Sequence, residues 1–245
     1  MAIPVFNEAA ILRQNIVTLS RFLESLGPYE ILIGSNGSTD GTVEICAQLA
    51  REDSRIRWFA IDEKKVGVVF QRFLGEARSD ALVSVDMDLS IDMDFIARSL
   101  RLLDEHDLVI GSKKLGVEHR SLVRRVGSDL YIWTVRALYR MKSHDYSLAA
   151  KAYRVSFFRP FIAQLSDHTN YVVDCVYLAK LHGGRSTEIP VACADHRPSR
   201  FNLRREAWEK YSYLFRLWHR HRKSQPVPTP AVAAVPRLKG ASAGS

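Results

Sequence analysis

Short apolar runs that break abruptly into small, hydrogen-bonding residues recur along this chain, and that punctuation restricts its fold more than any other feature. "EILIG" leads into "SNGSTDGT" at residues 35–42, and "ALVSV" leads into "DMDLS" at 86–90. Between such runs lie helical stretches. Residues 12, 16, 19, 23 and 26 are Leu, Ile, Leu, Leu and Leu, spaced alternately four and three as on one helix face. "GTVEICAQLA", "VGVVFQRFLGEAR" and "MDFIARSLRLLDEH" read as further helices, and "RIRWFAI", "DALVSVD" and "DLVIG" as strands. This β-α-β alternation predicts a mostly parallel sheet covered by helices on both faces. "MAIPVF" begins at what reads as the carboxyl end of a strand, so either the first strand is short or the natural start lies upstream. After residue 115 the pattern predicts a long helix around "SLVRRVGSDLYIWTVRALYRM", a short strand near "SLAAKAYR", a helix "YVVDCVYLAKL" and a strand "RSTEIPVAC".

Composition narrows the partners. The chain has 245 residues, 47% hydrophobic and 25% charged, which suits one α/β domain with appendages. Its formal net charge of +8, from 35 Lys+Arg against 27 Asp+Glu, favours anionic partners. Three cysteines, Cys46, Cys175 and Cys193, form no CxxC pair, so a reducing compartment is expected rather than a zinc or disulfide framework. No signal-peptide pattern opens the sequence and no run of ~18 apolar residues occurs, so a soluble or membrane-peripheral chain is expected. Within 204–223, Trp208, Tyr211, Phe215 and Trp218 fall three and four apart among Arg and Lys. Such a basic amphipathic helix either lies on an anionic membrane or packs its aromatic face on the domain. His219 and His221 suit a solvated helix end there. Residues 224–245, rich in Pro, Ala, Gly and Ser without apolar periodicity, are predicted to be a flexible tail.

The carboxyl ends of parallel strands are where α/β sheets bind ligands. In "SNGSTDGT", Gly37 and Gly41 permit close backbone approach, while the hydroxyls and Asp40 can bond a ligand or cap the next helix. Asp86 and Asp88, two apart directly after an apolar strand, repel each other unless a cation joins them. A hard cation such as Mg²⁺ or Mn²⁺ takes one or two carboxylates plus a substrate diphosphate. The plainer alternative is a pair of solvated loop acids.

In this order, "PVFNEA", "SNGSTDGT", "DMDLS", "GSK" and "DYSLAAKAYR" resemble the family 2 glycosyltransferases of the GT-A type, especially those like dolichol-phosphate (polyprenyl-phosphate) mannosyltransferase. The resemblance spans about residues 3–200. It implies a Rossmann-like, mostly parallel sheet flanked by helices at 1–203, with a nucleotide-sugar half at about 1–112 and an acceptor half at about 113–203, followed by the C-terminal amphipathic helix. It further implies that Pro4, Phe6, Glu8, Ser35, Asn36 and Ser38 hold the nucleotide-sugar, and that Asp86 and Asp88, with Ser90 assisting, hold the metal and diphosphate. Lys113, Arg124, Arg125, Lys151, Arg197 and Arg200, with Ser199 between the last two, would hold an acceptor phosphate. Two departures stand out. Ser35 and Asn36 replace an acidic pair often used to read the base, and Ala149 and Ala150 replace a Gly and an aromatic.

The resemblance therefore implies inverting sugar transfer with Mg²⁺ or Mn²⁺, GDP-mannose being the favoured donor and a UDP-sugar the alternative. The implied acceptor is a polyprenyl phosphate, met at the cytoplasmic face of a membrane by a cytoplasmic, peripheral protein. A lipid phosphate, with a second pKa near ~6, needs no protein base. A hydroxyl acceptor would need one, and Asp145 and Asp174 are the candidates, although Asp174 reads equally as a buried ion-pair member. Two readings from other classes remain. One is nucleotide binding without turnover. The other is nucleic-acid binding through the basic helix, which the paired strand-end acids oppose, so nucleic acid is not an expected partner.

Overall fold

The computed structural model describes residues 1–113, 115, 122–146, 148–192, 211–215 and 217, with backbone alone at 122–126 and 128. Seven strands form one sheet: β1 (Ala2–Val5), β2 (Ile31–Asn36), β3 (Ile56–Ile61), β4 (Ala81–Ser84), β5 (Leu108–Ser112), β6 (Lys151–Arg154) and β7 (Ser186–Pro190). Their spatial order is β3-β2-β1-β4-β6-β5-β7. All neighbouring pairs are parallel except those made by β6, which runs antiparallel to both β4 and β5. The predicted parallel sheet is therefore present with one reversed strand inside it.

Burial follows the pleat. Ile3, Val5, Ile31 and Ile33 face one core, and Ala2 and Leu32 face the other. The first core is built with α1 (Leu12–Glu24), α2 (Thr42–Glu52) and α4 (Asp94–Leu102). The second takes α3 (Val66–Glu76), α5 (Leu122–Tyr139) and α7 (Tyr171–Leu181). β2 is buried at all six positions, as expected of an inner parallel strand covered on both faces. At Gly34 of that strand a Cβ would lie 2.3 Å from Val69, so α3 sits directly on the strand backbone. A short helix α6 (Val155–Phe158) and a 3-10 segment (Arg159–Gln164) separate β6 from α7, and no periodicity announced either.

The C-terminal helix is described at 211–215 and 217, where its apolar side packs on the domain. Leu214 and Leu217 are buried, the Tyr211 ring meets Tyr131 edge-on at 5.9 Å, and the Tyr139 hydroxyl donates to the Leu214 carbonyl. The packed face is thus offset from the predicted aromatic one, leaving Phe215 57% exposed. Trp208, Trp218, His219, His221 and the tail 224–245 lie outside the described residues. No described helix is long and apolar enough to cross a membrane.

The start of α3 is held unusually close to the segment before α7. Gly67 and Val68 donate their amides to the Asp167 carbonyl at 2.8 and 3.3 Å, and a Cβ on Gly67 would lie 1.9 Å from the Ser166 carbonyl oxygen. Gly67→Ala is therefore expected to lower the unfolding free energy by about 3 kcal/mol. Gly75→Ala in the same helix, where a Cβ meets nothing within 4 Å, is expected to raise it by about 0.5–1 kcal/mol. Urea unfolding of both variants checks the contrast.

Candidate active site

The small residues after β2 turn out to bond mainly to their own neighbours. Asn7, with φ of +53°, accepts the Thr39 amide on Oδ1 at 2.8 Å and donates its own amide to Ser38 Oγ at 3.2 Å. Glu8 and Ala9 donate amides to Thr42 Oγ1 at 2.9 Å and Asp40 Oδ2 at 3.2 Å. Asp40 Oδ1 also accepts the Thr42 amide at 3.0 Å, but the N-cap position of α2 is Gly41, so Asp40 serves the helix start from one residue further out than predicted. Gly37, at φ of +73°, brings its backbone against residues 62–64, where a Cβ would stand 3.1 Å from Asp62 O. Three strand-end loops, after β1, β2 and β3, are thereby tied into one ledge.

The predicted nucleotide-sugar residues take different places around this ledge. Ser35 is fully buried, and its hydroxyl donates to Ser38 Oγ at 3.0 Å, so both serve the ledge. Pro4 lies within β1, and Glu8 is half-buried in the loop after it. Phe6 keeps an accessible ring, with the Lys64 ammonium 3.7 Å from its centroid. Lys64 escaped the sequence reading, since a lysine after a strand carries no pattern until its neighbour across the ledge is known. Asn36 Oδ1, Ser84 Oγ and Ser112 Oγ, on the last residues of β2, β4 and β5, are buried without a hydrogen-bond partner among the described residues. Buried polar atoms are normally satisfied, so this edge retains bonding capacity for a polar ligand.

The acids follow directly. After β4 the alternation continues: Val85 and Met87 point into the core while Asp86 and Asp88 are half-buried. The chain then turns sharply, with the Leu89 amide donating to Asp86 O at 3.2 Å and Leu89 held at φ of +48°, a costly conformation for a bulky side chain. Asn15 of α1 braces the turn by donating from Nδ2 to Met87 O at 2.9 Å, another contact invisible in the sequence. Ser90 donates its amide to Asp88 Oδ1 at 3.1 Å and so supports that acid. Among the described residues no group of three or more His, Cys, Asp or Glu could cage a metal by itself. Two acids on one side of a turn, beside unsatisfied strand-end oxygens, fit a hard cation that draws its remaining ligands from substrate and water.

Beside the acids lies a buried charged cluster. Lys151 opens β6 and stands opposite Ser84 of β4 and Ile110 of β5. Lys113 follows β5 directly, with Nζ 3.8 Å from Asp145 Oδ2. Lys113, Asp145 and Lys151 are 2%, 1% and 0% exposed. Lys151 donates from its ammonium to the Leu148 carbonyl, and Asp145 Oδ1 accepts the Leu148 amide at 3.0 Å. Burial pushes the Lys151 pKa down to about 8; the charge of Asp145 opposes the shift and that of Lys113 adds to it.

Asp174 has a different setting. It is buried on α7, where Oδ2 accepts the Ser166 amide and Oδ1 the Tyr213 hydroxyl, both at 2.7 Å. Arg124 and Arg125 fall in the first turn of α5, but their side chains lie outside the description. Arg197, Ser199 and Arg200 lie outside the described residues altogether.

The chain is similar to known proteins in sequence and in fold. Residues 1–164 match the family model of glycosyl transferase family 2. Glycosyltransferase AglD of Haloferax volcanii is 28% identical over 227 residues, which is 89% of this chain and 36% of that protein. The chain spans about a third of the length of the curated relatives it matches. Among solved structures, mannosyl-3-phosphoglycerate synthase from Rubrobacter xylanophilus matches with a TM-score of 0.65 at 14% identity, covering 94% of this chain and 76% of that one. Glucosyl-3-phosphoglycerate synthase from Mycobacterium tuberculosis, in complex with Mn²⁺ and UDP-glucose, gives 0.63 at 16%, covering 91% and 79%. At such identities the likeness is one of fold.

The Lys151 shift has a measurable sign. Between about 8 and the ordinary lysine value of 10.5 the folded chain binds fewer protons here than the unfolded one. The destabilisation caused by burying this charge is therefore complete below about 8 and is relieved as pH rises. In urea unfolding, the wild type is expected to gain stability relative to Lys151→Met across that interval. Parallel pH profiles for the two proteins would contradict it.

Proposed function

Because the chain belongs to glycosyl transferase family 2 and folds as an α/β domain of the GT-A type, we propose that it transfers a sugar, with inversion, from a nucleotide-sugar to a polyprenyl phosphate in a divalent-metal-dependent reaction. The observation that carries this reading is the meeting of two charge patterns at one sheet edge: the acids Asp86 and Asp88 after β4, and the buried Lys113 and Lys151 at the adjoining ends of β5 and β6. GDP-mannose remains the donor favoured by the family resemblance alone. A UDP-sugar is the alternative, supported by the UDP-glucose and Mn²⁺ complex of the mycobacterial relative in fold.

In this reading Asp86 and Asp88 hold Mg²⁺ or Mn²⁺. The ion, when bound, supplies Lewis-acid stabilisation of the charge that develops on the departing diphosphate. Phe6 and Lys64 border the nucleotide, the ring offering a stacking face and the ammonium a partner for phosphate. Asn36 stands in the position where relatives often carry an acid that reads the base, and its buried Oδ1 has no partner among the described residues. Lys113 and Lys151 are too enclosed to wrap a phosphate as surface residues would, so they act chiefly through their field. Direct phosphate contacts then fall to Arg124, Arg125, Arg197 and Arg200.

An ionised lipid phosphate attacks without a protein base. Asp145 suits that scheme better than a role in proton abstraction, because its carboxylate is engaged by Leu148 and Lys113. Asp174, accepting two short hydrogen bonds, is assigned to structure. Attachment to a cytoplasmic membrane face is supported by Leu130 and Trp133 of α5, 55% and 67% exposed beside Arg136, with Phe215 on the packed C-terminal helix.

The test is transfer of radiolabel from GDP- and UDP-sugars into solvent-extractable polyprenyl phosphate, with Mn²⁺, Mg²⁺ or chelator. Label should enter the lipid phase only with metal. Asp88→Ala is expected to reduce transfer by about 100-fold or more while leaving the unfolding midpoint nearly unchanged. Near-normal transfer by that variant would remove the metal assignment, and label appearing in a sugar acceptor instead would replace the lipid phosphate by a hydroxyl.

A further inference from the structure

Asp145 sits in a stretch that has no strand partner. From 141 to 150 the described backbone is irregular, yet Met141, Asp145, Tyr146, Leu148 and Ala150 are buried. Apart from the Ala150 carbonyl, which accepts the Gly111 amide at 2.8 Å, the buried amides and carbonyls there lie outside the strand ladders, and such groups are costly unless something else satisfies them. Charged side chains supply the partners. Asp145 Oδ1 takes the Leu148 amide, and the Lys151 ammonium donates to the Leu148 carbonyl. Glu188, on β7, does more: its Oε1 accepts the amides of His144 at 2.6 Å and Asp145 at 3.4 Å, and its Oε2 lies 2.7 Å from His144 Nδ1.

We propose that Glu188 is the positioning residue of the acceptor side: its carboxylate fixes the backbone at 144–145 and thereby aims Asp145 at Lys113. The frame for this is rigid. Glu188 pairs in register with Ile110 on β5, three residues before Lys113, so the two side chains leave neighbouring strands. Asp145 bridges them, its amide to Glu188 and its Oδ2 3.8 Å from Lys113 Nζ. A glutamate suits the task because one carboxylate can accept two successive amides from a bend that turns both toward it. Its contact with the half-exposed His144 ring is secondary, since the ring can turn to water and the amides cannot.

This inference rests on Lys113 and Asp145 serving the acceptor side as proposed above, so its test needs one readout that is independent of turnover. The full chain is compared with Glu188→Ala, Glu188→Gln and His144→Ala by hydrogen exchange over 141–150 and by steady-state transfer from nucleotide-sugar to polyprenyl phosphate. Glu188→Ala is expected to speed exchange in that segment and to lower kcat about 10-fold or more, with donor KM within about 2-fold of wild type. Glu188→Gln keeps an oxygen for both amides and should retain slow exchange and most of kcat, and His144→Ala should do the same. Unchanged exchange in Glu188→Ala, or Glu188→Gln as damaging as Glu188→Ala, would overturn the proposal in favour of simple charge pairing with His144. Should Glu188→Ala fail to fold, Glu188→Gln decides alone: near-wild-type exchange and kcat sustain the proposal, and their loss ends it. A wild-type chain that labels no lipid phosphate would defeat the functional reading instead, while exchange would still judge the role of Glu188.

Discussion

A strand that runs against its neighbours begins where they end. In this sheet β6 lies between β4 and β5, both pointing the other way, so Lys151 at its first position is level with the last residue of β4 and close to the end of β5. An all-parallel sheet would have put the start of a strand at the far edge from the loops that carry chemistry. The reversal instead brings the chain back past these strand ends before it enters the sheet. Asp145 and the buried segment around it, Lys113 after β5, and the acids after β4 therefore share one edge although about 60 residues separate the first acid from Asp145.

The electrostatic character of that edge follows. Two lysines and one aspartate are buried together, and an uncompensated ammonium inside a protein is expensive, which is why burial drives the Lys151 pKa down to about 8. Asp86, beyond the strand end opposite Lys151, offsets part of the charge and favours the protonated amine. The enclosed cluster is still richer in cations than in anions. In the proposed reaction a phosphate arriving at the edge would meet a field that the free protein already sustains, so its binding would recover some of the desolvation cost instead of adding to it.

Much of this was readable beforehand, and the unreadable part has a common cause. Helix and strand periods identified nearly every element, because an amphipathic face or a buried parallel strand leaves a local pattern. The acids at 86 and 88 were visible because the strand period itself carries both to one side of the chain. The direction of β6 was not visible: a four-residue strand reads alike in either sense. Nor were Asn15, Lys64 and Glu188, whose importance lies in what they touch from 72, 58 and 44 residues away. The C-terminal helix shows the same limit, since Trp and Tyr spacing suggested one face while contact with Tyr131 and Tyr139 selected another, built on Leu214 and Leu217.

The hydroxyl-rich loop after β2 resolves differently from a ligand cradle made of side chains. Ser35, Ser38, Thr39, Asp40 and Thr42 spend their hydrogen bonds on one another and on the backbone of residues 7–9. Loops fixed in this way lose little further freedom when a ligand arrives, which is the general benefit of a preorganised site. The same bonding turns the buried Ser35 hydroxyl toward Ser38. Outward the ledge presents the Phe6 ring and the Lys64 ammonium, while the unsatisfied Asn36 oxygen is buried at the end of β2. An amide oxygen accepts hydrogen bonds without carrying charge, so a base that reached Asn36 would be distinguished by where its donors lie and not by attraction to an acid.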